Sequence, residues 1–331
     1  MTSFTRFCGA LGLAAIGVAG FAGYRLFTPY RGFQQDTFVE IPRGAHTSGI
    51  ADLLAKAGVI RSQWDFLLAR SAERGRVLKA GEYRFQKADS VLDVYNRIAR
   101  GDIFYYTLVV PEGKNIFDIA TAAAGLGLFD ERQFLDAARD ATLIHDIDPH
   151  ALSLEGYLFP GTYRLSRHTT PQLLCQKMTA RFREVWGGLN ATANPHETIT
   201  LASLVEKEAK LPEERSLIAA VFDNRLKLGM KLDCDPTTIY AALLESRYRG
   251  TIYRSDLDNT HPYNTYQHAG LPPGPIANPG LASIQAALNP DTSTSALYFV
   301  LRPDGSGGHE FSETLARHTE AVTRYHRAQA R

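Results

Sequence analysis

Two glutamates, Glu206 and Glu208, are the residues whose type and setting point most directly to chemistry. They lie in E-T-I-T-L-A-S-L-V-E-K-E-A, residues 197–209, which reads as a helix. At about 100° per residue its leucines and valine share one face, and Glu208 falls within roughly 40° of the centre of that face. Glu206 lies about 120° away from the same centre. We therefore expect Glu208 to point inward and Glu206 to point out.

A carboxyl group against an apolar wall is suited to donate a proton near neutral pH. Burial removes hydration from its charged form and raises the pKa from about 4.3 towards neutrality. The same pattern also fits a helix-face carboxylate paired with Arg215 or Lys210. The helix by itself leaves both interpretations open.

The composition allows at least one substantial core and excludes some partners. The 331 residues are 44% hydrophobic, which leaves room for two domains with appendages. A formal net charge of +1 provides no basic field, so nucleic acid is not expected as a partner. Cys8 lies in an apolar run, and whether Cys175 and Cys234 form a disulfide is not readable from the sequence.

The N-terminal residues 7–24 carry no charge and are flanked by Arg6 and Arg25. As a helix they span about 27 Å, close to a hydrocarbon core of about 30 Å if the arginines reach the interface. We expect a single membrane anchor. A cleaved signal peptide is the alternative, because residues 20–22 offer small side chains for a cut. Either interpretation exports the rest of the chain.

The segment after the anchor predicts a strand-helix-helix-strand unit. Its elements are expected at residues 38–41, 50–57, after Ser62 as N-cap, and 81–85, with a further helix at 90–99. The opening I-P-x-G pattern followed by I-A resembles a LysM-like module, which in other proteins binds N-acetylglucosamine-containing glycans. A packing domain that binds no sugar fits the same pattern.

The rest of the chain alternates helices with short strands and rigid loops. Further helices are predicted at residues 116–124, 131–139, 171–186, between Pro212 and Gly229, and at 314–327. A strand and turn are predicted at 154–163, a strand at 297–300 and a turn at 307–311. Asp235, before Pro236, is expected to cap a short helix.

Aromatic and loop residues suggest a groove for sugar rings. Glu155 and Tyr157 lie in an aromatic-rich stretch, and aromatic faces with an acid suit saccharides, although a hairpin core with an exposed Glu155 is an equal alternative. The Pro- and Gly-dense residues 262–266 and 270–280 favour a rigid groove wall. The residues expected to line the groove beside Glu208 are Tyr263, Asn264, Pro272, Gly274 and Asn278.

Four segments together resemble the MltG, or YceG-like, family of endolytic murein transglycosylases. They are A-S-L-V-E-K-E-A, N-R-L-K-L-G-M-K-L-x-x-D-P-T-T-I-Y, Y-N-T-Y-x-x-x-G-L-P-P-G-P-I-x-N-P-G, and Y-F-V followed by G-G-H-x-F. The segments occur in the order of that family, and the anchor and the LysM-like module match its layout. The resemblance implies an α+β fold with an anchor at residues 1–30, a LysM-like module at 36–105 and a YceG-like catalytic domain at 106–331.

The resemblance further implies a single-pass enzyme of the cytoplasmic membrane, with its catalytic domain on the periplasmic or cell-wall side. It would be a lyase that cuts nascent peptidoglycan strands internally, without a cofactor, and cell-wall synthesis enzymes are a further class of partner. The essential glutamate of the family falls on Glu208, the residue that the helical pattern also selects. Cys234 departs from the polar residue expected before Asp235.

The predicted site combines one acid with a set of substrate-binding side chains. That set is Glu155, Tyr157, Glu206, Asn224, Asp235, Thr237, Tyr263, Asn264, Tyr266, Pro272, Gly274 and Asn278. No metal site is predicted, because His145, Asp146, Asp148 and His150 cluster without metal-ligand spacing.

The expected reaction is lytic transglycosylation, because most glycosidases need two carboxylates and the helix face offers one. Glu208 would protonate the glycosidic oxygen and then deprotonate the muramic C6 hydroxyl, which closes a 1,6-anhydro ring. Two alternatives are a hydrolytic muramidase, with Asp235 or Glu155 as second carboxylate, and a non-catalytic glycan-binding membrane protein.

Overall fold

The structure is a computed structural model that describes residues 2–73 and 75–329, with side chains from residue 13 onward. Helices dominate, and the strands form three two-stranded sheets among the described residues, so the predicted α+β class is confirmed. The chain divides into two compact units, Met1–Tyr106 and Thr107–Arg331.

The first unit contains the predicted strand-helix-helix-strand order. Its elements are α1 (Thr2–Phe27), β1 (Thr37–Ile41), α2 (Thr47–Lys56), α3 (Gln63–Ala72), β2 (Gly81–Phe85) and α4 (Val91–Arg100). β1 pairs with β2 in antiparallel register, with Thr37 opposite Phe85. Ser62 caps α3 by accepting a hydrogen bond from the Trp64 N–H, as predicted. The helices and the sheet enclose a core that includes Phe66, Tyr83 and Tyr95.

The N-terminal helix α1 differs from the expectation for a membrane anchor in one contact. Arg25 directs its guanidinium to Asp65, with 2.7 Å between Nη2 and Oδ2, so this arginine forms an ion pair inside the unit. Within the described part of the chain, no helix has both the length and the hydropathy needed to cross a membrane. The predicted span is therefore not confirmed.

The second unit is built on a run of helices with two small sheets. Its elements are β3 (Tyr106–Val110), α5 (Ile116–Ala124), α6 (Glu131–Ala138), β4 (Gly161–Leu165), α7 (Pro171–Leu189), α8 (Pro195–Glu208), α9 (Arg215–Lys227), α10 (Asp235–Leu244), α11 (Arg254–Leu257), α12 (Leu281–Leu288), β5 (Tyr298–Leu301), β6 (His309–Ser312) and α13 (Leu315–Gln329). β3 pairs with β4, and β5 pairs with β6 in antiparallel fashion.

Helix α8 is the element around which this unit packs. It contacts α9, α10 and α12, and every residue from Thr198 to Val205 is buried. Leu204 and Val205 join Phe222 and Ile276 in one apolar cluster. A helix buried on all sides is held in one orientation by its neighbours, and its C-terminal residues are placed accordingly.

Several local predictions for the second unit were wrong. The strand near residue 160 covers only β4, because the preceding residues turn at Gly156, where a Cβ would come within 2.5 Å of the Pro275 ring. His309 lies in β6 and not in a turn. Asp235 is the first residue of α10, and Cys234 occupies the capping position. Helices α11 and α12 were not predicted.

Candidate active site

Glu208 is the last residue of α8, where the chain leaves the helix. Asn194 caps the other end by accepting a hydrogen bond from the His196 N–H, and Ala209 is extended, which ends the helix. The Glu208 side chain reaches a cavity of about 630 Å³. The walls of this cavity come from α9, from residues 232–235, from β5 and from α13. An acid that lines a concave site is placed to contact a bound ligand.

Burial raises the pKa of the Glu208 carboxyl above its usual value. The Cys234 thiol opposes this effect by donating a hydrogen bond, the negative charge of Asp235 adds to it, and Lys207 opposes it. The net shift keeps the proton on Glu208 to higher pH than on a free glutamate. The direction agrees with the helical pattern, and a carboxylic acid that stays protonated is a competent general acid.

Glu206 does not point to solvent, so that part of the helical prediction was wrong. Its carboxylate accepts a hydrogen bond of 3.0 Å from the Gly280 N–H and lies 4.0 Å from the Arg215 guanidinium. Only 8% of its side chain is exposed. The prediction failed because α8 is packed on more than one face. Glu206 fastens the loop before α12 to α8, and it is not placed to bind substrate.

Cys234 is the side chain in hydrogen-bonding contact with Glu208. Its Sγ donates to Glu208 Oε1 at 3.2 Å, and the residue is 2% exposed. Burial raises the pKa of this thiol well above its usual range, and the Glu208 charge adds to the effect. The thiol therefore stays protonated and acts as a donor. Cys234 and Cys175 are both free, so they form no disulfide with each other.

Thr237 supports Cys234 and is not available to a substrate. It is fully buried, and its hydroxyl donates to the Cys234 carbonyl at 2.6 Å. The Cys234 N–H donates to the Thr265 hydroxyl at 3.0 Å, and the two threonine hydroxyls are 2.9 Å apart. These bonds join the D-P-T-T and Y-N-T-Y segments, so the structure places Thr237 in the interior and does not bring it to the surface of the Glu208 cavity.

Asn264 shapes the loop beside the site from within. Its amide nitrogen donates to three carbonyl oxygens, those of Asp256, Leu257 and Asn259, at 2.6–3.2 Å. Its amide oxygen accepts from the Tyr266 N–H at 3.0 Å and from the Thr238 hydroxyl at 3.2 Å. With all side-chain polar atoms engaged and no exposed surface, Asn264 is not the groove residue that was predicted.

Asn278 and Glu155 form a second buried polar pair. The Asn278 amide donates to Glu155 Oε1 at 2.9 Å, and its oxygen accepts from the Leu158 N–H at 2.9 Å. Glu155 also accepts from the Ile116 N–H at 2.9 Å, and burial raises its pKa to about 8. Both residues are at most 2% exposed. Neither lines the Glu208 cavity, so the structure does not place Asn278 in the predicted groove, and Glu155 does not have the exposed position of the hairpin alternative.

Four more predicted residues lie away from the Glu208 cavity. Tyr157 is fully buried, and its hydroxyl donates to Asp148. The Asn224 amide donates to the Thr294 and Ala296 carbonyl oxygens at 3.1 Å, and these bonds hold α9 against the segment that leads into β5. Two others, Pro272 and Gly274, are buried in the rigid loop.

Asp235 and Tyr266 do line the cavity with Glu208. The Tyr266 hydroxyl donates to Asp235 Oδ1 at 2.7 Å, and Asp235 is exposed. Tyr263 instead lies half-buried at a different cavity of about 580 Å³. The structure therefore brings three of the predicted site residues together at one cavity.

Sequence reasoning missed the opposite wall of the cavity. Arg225 donates to the Leu297 and Leu232 carbonyls at 2.6 and 2.9 Å, and its guanidinium lies 5.1 Å from the Tyr298 ring. The His318 ring stacks on the same tyrosine with 5.1 Å between centroids. The arginine is part of the N-R-L-K-L motif, whereas nothing in the α13 sequence marks its histidine.

Another cavity, of about 750 Å³, is lined by aromatic side chains and by Lys207, the neighbour of Glu208 in the sequence. Its walls include Phe117, Tyr240 and Tyr248, which also line the cavity at Tyr263. Tyr248 is 37% exposed. Such surfaces suit sugar rings, because aromatic faces pack on C–H faces while nearby polar groups bind hydroxyls.

The fold and the cavity define an α+β protein with a half-buried carboxylic acid at the end of its central helix. A model described as the YceG-like family matches residues 39–324. The match covers most of the chain. The chain therefore belongs to the YceG-like family.

Individual relatives agree with the family match. The chain is 32% identical to the endolytic murein transglycosylase of Bacillus subtilis, over 94% of this chain and 91% of that protein. It is 31% identical to the endolytic murein transglycosylase of Streptococcus pneumoniae D39, over 87% of this chain, and the alignment spans 59% of that protein. A crystal structure of a YceG-like protein from Listeria monocytogenes is similar, with a TM-score of 0.55 and 30% identity over 87% of this chain and 99% of that one.

Proposed function

We propose that this protein is an endolytic murein transglycosylase, a lyase that cuts peptidoglycan strands between N-acetylmuramic acid and N-acetylglucosamine. The relatives that carry this name support the proposal over nearly the whole chain. The observation that carries it is Glu208, whose raised pKa and position at a large cavity suit a general acid.

The reaction needs one residue in two roles. Protonated Glu208 gives its proton to the glycosidic oxygen as the C1–O bond breaks, and the N-acetylglucosamine end leaves with a new hydroxyl. The Glu208 carboxylate then takes the proton of the muramic C6 hydroxyl, and O6 bonds to C1. The proton count balances without water, and proximity favours the intramolecular attack. The exposed Asp235 carboxylate places negative charge in the same cavity, where positive charge develops on the sugar.

Hydrolysis is the competing reaction, because Asp235 lines the cavity and could activate water there. Glu155 is not available for that role, since it is 2% exposed and hydrogen-bonded in the interior.

Product analysis decides between the two reactions. We expect digestion of purified peptidoglycan to give 1,6-anhydromuramic ends, one water lighter than hydrolytic ends, as measured by mass spectrometry of the released fragments. Digestion in ¹⁸O-labelled water should leave these ends unlabelled. Reducing muramic ends carrying the label as the sole product would show that the enzyme is a muramidase.

We further propose that residues 7–24 attach the protein to the cytoplasmic membrane, with the second unit on the cell-wall side. Support comes from the exposed apolar side chains of α1, among them Leu13, Ile16 and Phe21, each more than 60% exposed. We expect the protein to remain with membranes after carbonate washing. Recovery of a soluble exported form whose N-terminus lies near Gly23 would contradict the attachment.

Cell-wall synthesis enzymes at the same membrane are proposed as partners.

A further inference from the structure

The contact between Cys234 and Glu208 joins a buried thiol to a half-buried carboxyl that lines the cavity. Cys234 is 2% exposed, and its Sγ lies 3.2 Å from Glu208 Oε1. In the portion of the chain that the structure describes, no other side chain hydrogen-bonds Glu208. The orientation of the acid therefore depends on a single thiol donor and on packing.

The Cys234 backbone is held on both sides, so the thiol has a fixed origin. Its N–H donates to the Thr265 hydroxyl and its carbonyl accepts from the Thr237 hydroxyl. Both threonines are at most 1% exposed. The adjoining Asp235 begins α10. Loop and helix thus aim the thiol at the end of α8 with little freedom to move away.

We propose that Cys234 is a positioning residue for this enzyme, whose thiol holds the Glu208 carboxyl in one orientation towards the cavity. The inference rests on the proposed function, because it assigns a support to the acid of that reaction. It accounts for the cysteine at a place where the sequence pattern predicts a polar residue. A buried thiol that stays protonated supplies a weak donor to the carboxylate and brings no charge.

The direction of the pH effect follows from the groups around Glu208. Burial and Asp235 raise its pKa, whereas the Cys234 hydrogen bond and Lys207 lower it. The other titratable or charged side chains that line the cavity are Arg225, Asp233, Tyr266, Tyr298, His318 and His326. The free enzyme must carry protonated Glu208, so kcat/KM falls as pH rises through this pKa.

Two substitutions at position 234 should therefore move the pH profile in opposite directions. Cys234→Ala removes the donor to the carboxylate, so the Glu208 pKa rises and the alkaline limb of kcat/KM moves to higher pH. Its kcat should fall about three- to tenfold, because the carboxyl loses the thiol that donates a hydrogen bond to it. Cys234→Ser provides a stronger hydroxyl donor, so the alkaline limb moves to lower pH while kcat stays closer to that of the wild type.

The experiment measures kcat/KM against pH on purified peptidoglycan for the full-length protein, both variants and Cys175→Ala. Cys175 is an equally buried thiol on α7 that does not line the cavity, so its variant should keep the wild-type limb. Infrared titration of the protonated carboxyl band, with Glu208→Gln subtracted, follows Glu208 without any turnover.

The role of Cys234 would be established if the alkaline limb of kcat/KM and the infrared titration of Glu208 both move to higher pH in Cys234→Ala and to lower pH in Cys234→Ser. General damage to the fold cannot shift one profile up and the other down. The proposed role of Cys234 would be overturned if the Glu208 titration is unchanged in both variants, or if it moves in the same direction in both. If Cys234→Ala does not fold, a Cys234→Ser titration unchanged from the wild type still overturns it. If the wild-type protein has no lytic activity but the infrared titrations still shift in the variants, the proposed function is wrong and the Cys234–Glu208 hydrogen bond is still supported.

Discussion

Replacing Glu208 by glutamine should abolish peptidoglycan cleavage while the protein remains folded. Glutamine has nearly the same shape, but it has no proton to give to the glycosidic oxygen and no basic site for the C6 hydroxyl. General acid-base catalysis contributes about 10² to 10⁴ in rate, and here one residue acts in both steps. We expect a loss of about a thousandfold or more in kcat, measured by chromatography of released anhydromuropeptides.

The matched control is Glu206→Gln, two residues earlier on the same helix. Its amide oxygen can still accept from the Gly280 N–H, whereas the charge facing Arg215 is lost. We expect some loss of stability with much of the activity retained, because Glu206 does not line the Glu208 cavity. An inactive Glu206→Gln protein beside an active Glu208→Gln protein would reverse the assignment of the catalytic acid.

Replacing Asn264 by alanine should produce the second large effect, and it should be on stability. The substitution removes the amide donor from the Asp256, Leu257 and Asn259 carbonyl oxygens, of which the last has no other donor among the described residues, and it removes the acceptor of the Tyr266 N–H. A buried group left unsatisfied costs about 1–3 kcal/mol, and neighbouring losses do not add fully. We expect the free energy of unfolding to fall by about 3 kcal/mol or more, as measured by urea denaturation.

Asn289→Ala is the control for this change. Asn289 follows α12, is exposed, and donates one hydrogen bond of 3.2 Å to Gln285, so its removal should alter stability by at most about 0.5 kcal/mol. If Asn264→Ala is as stable as the wild type and only raises KM, Asn264 contacts substrate and its buried position is wrong.

Local pattern alone was enough for much of the second unit. The apolar face of residues 197–209 identified a helix and placed Glu208 against it, and Glu208 is half-buried and lines a cavity. The Pro and Gly content of residues 270–280 predicted a rigid loop. Most of that loop is buried, and it forms no β-strand. These features follow from period and backbone restriction, which act over a few residues.

Polar residues within the motifs were assigned less well. Asn264, Asn278, Thr237 and Glu155 are side chains that fit a sugar groove, yet each is buried with protein partners. A side chain that binds a hydroxyl of a substrate binds a backbone carbonyl or N–H equally well. Residue type therefore does not separate the two roles. The two roles are distinguished by the group that the side chain hydrogen-bonds, and that group is often far away along the chain.

The sequence by itself determined that residues 197–208 form a helix and that Glu208 lies on its apolar side, because helical period and apolar spacing are local properties. Tertiary structure alone decided which groups meet that glutamate. Glu206 turned inward because α8 is packed on several faces, and Cys234 lies beside Glu208 because buried threonines hold its backbone there. Arg225 and His318 form the facing wall from α9 and α13. Such contacts arise from long-range packing, which no periodicity within a single segment encodes.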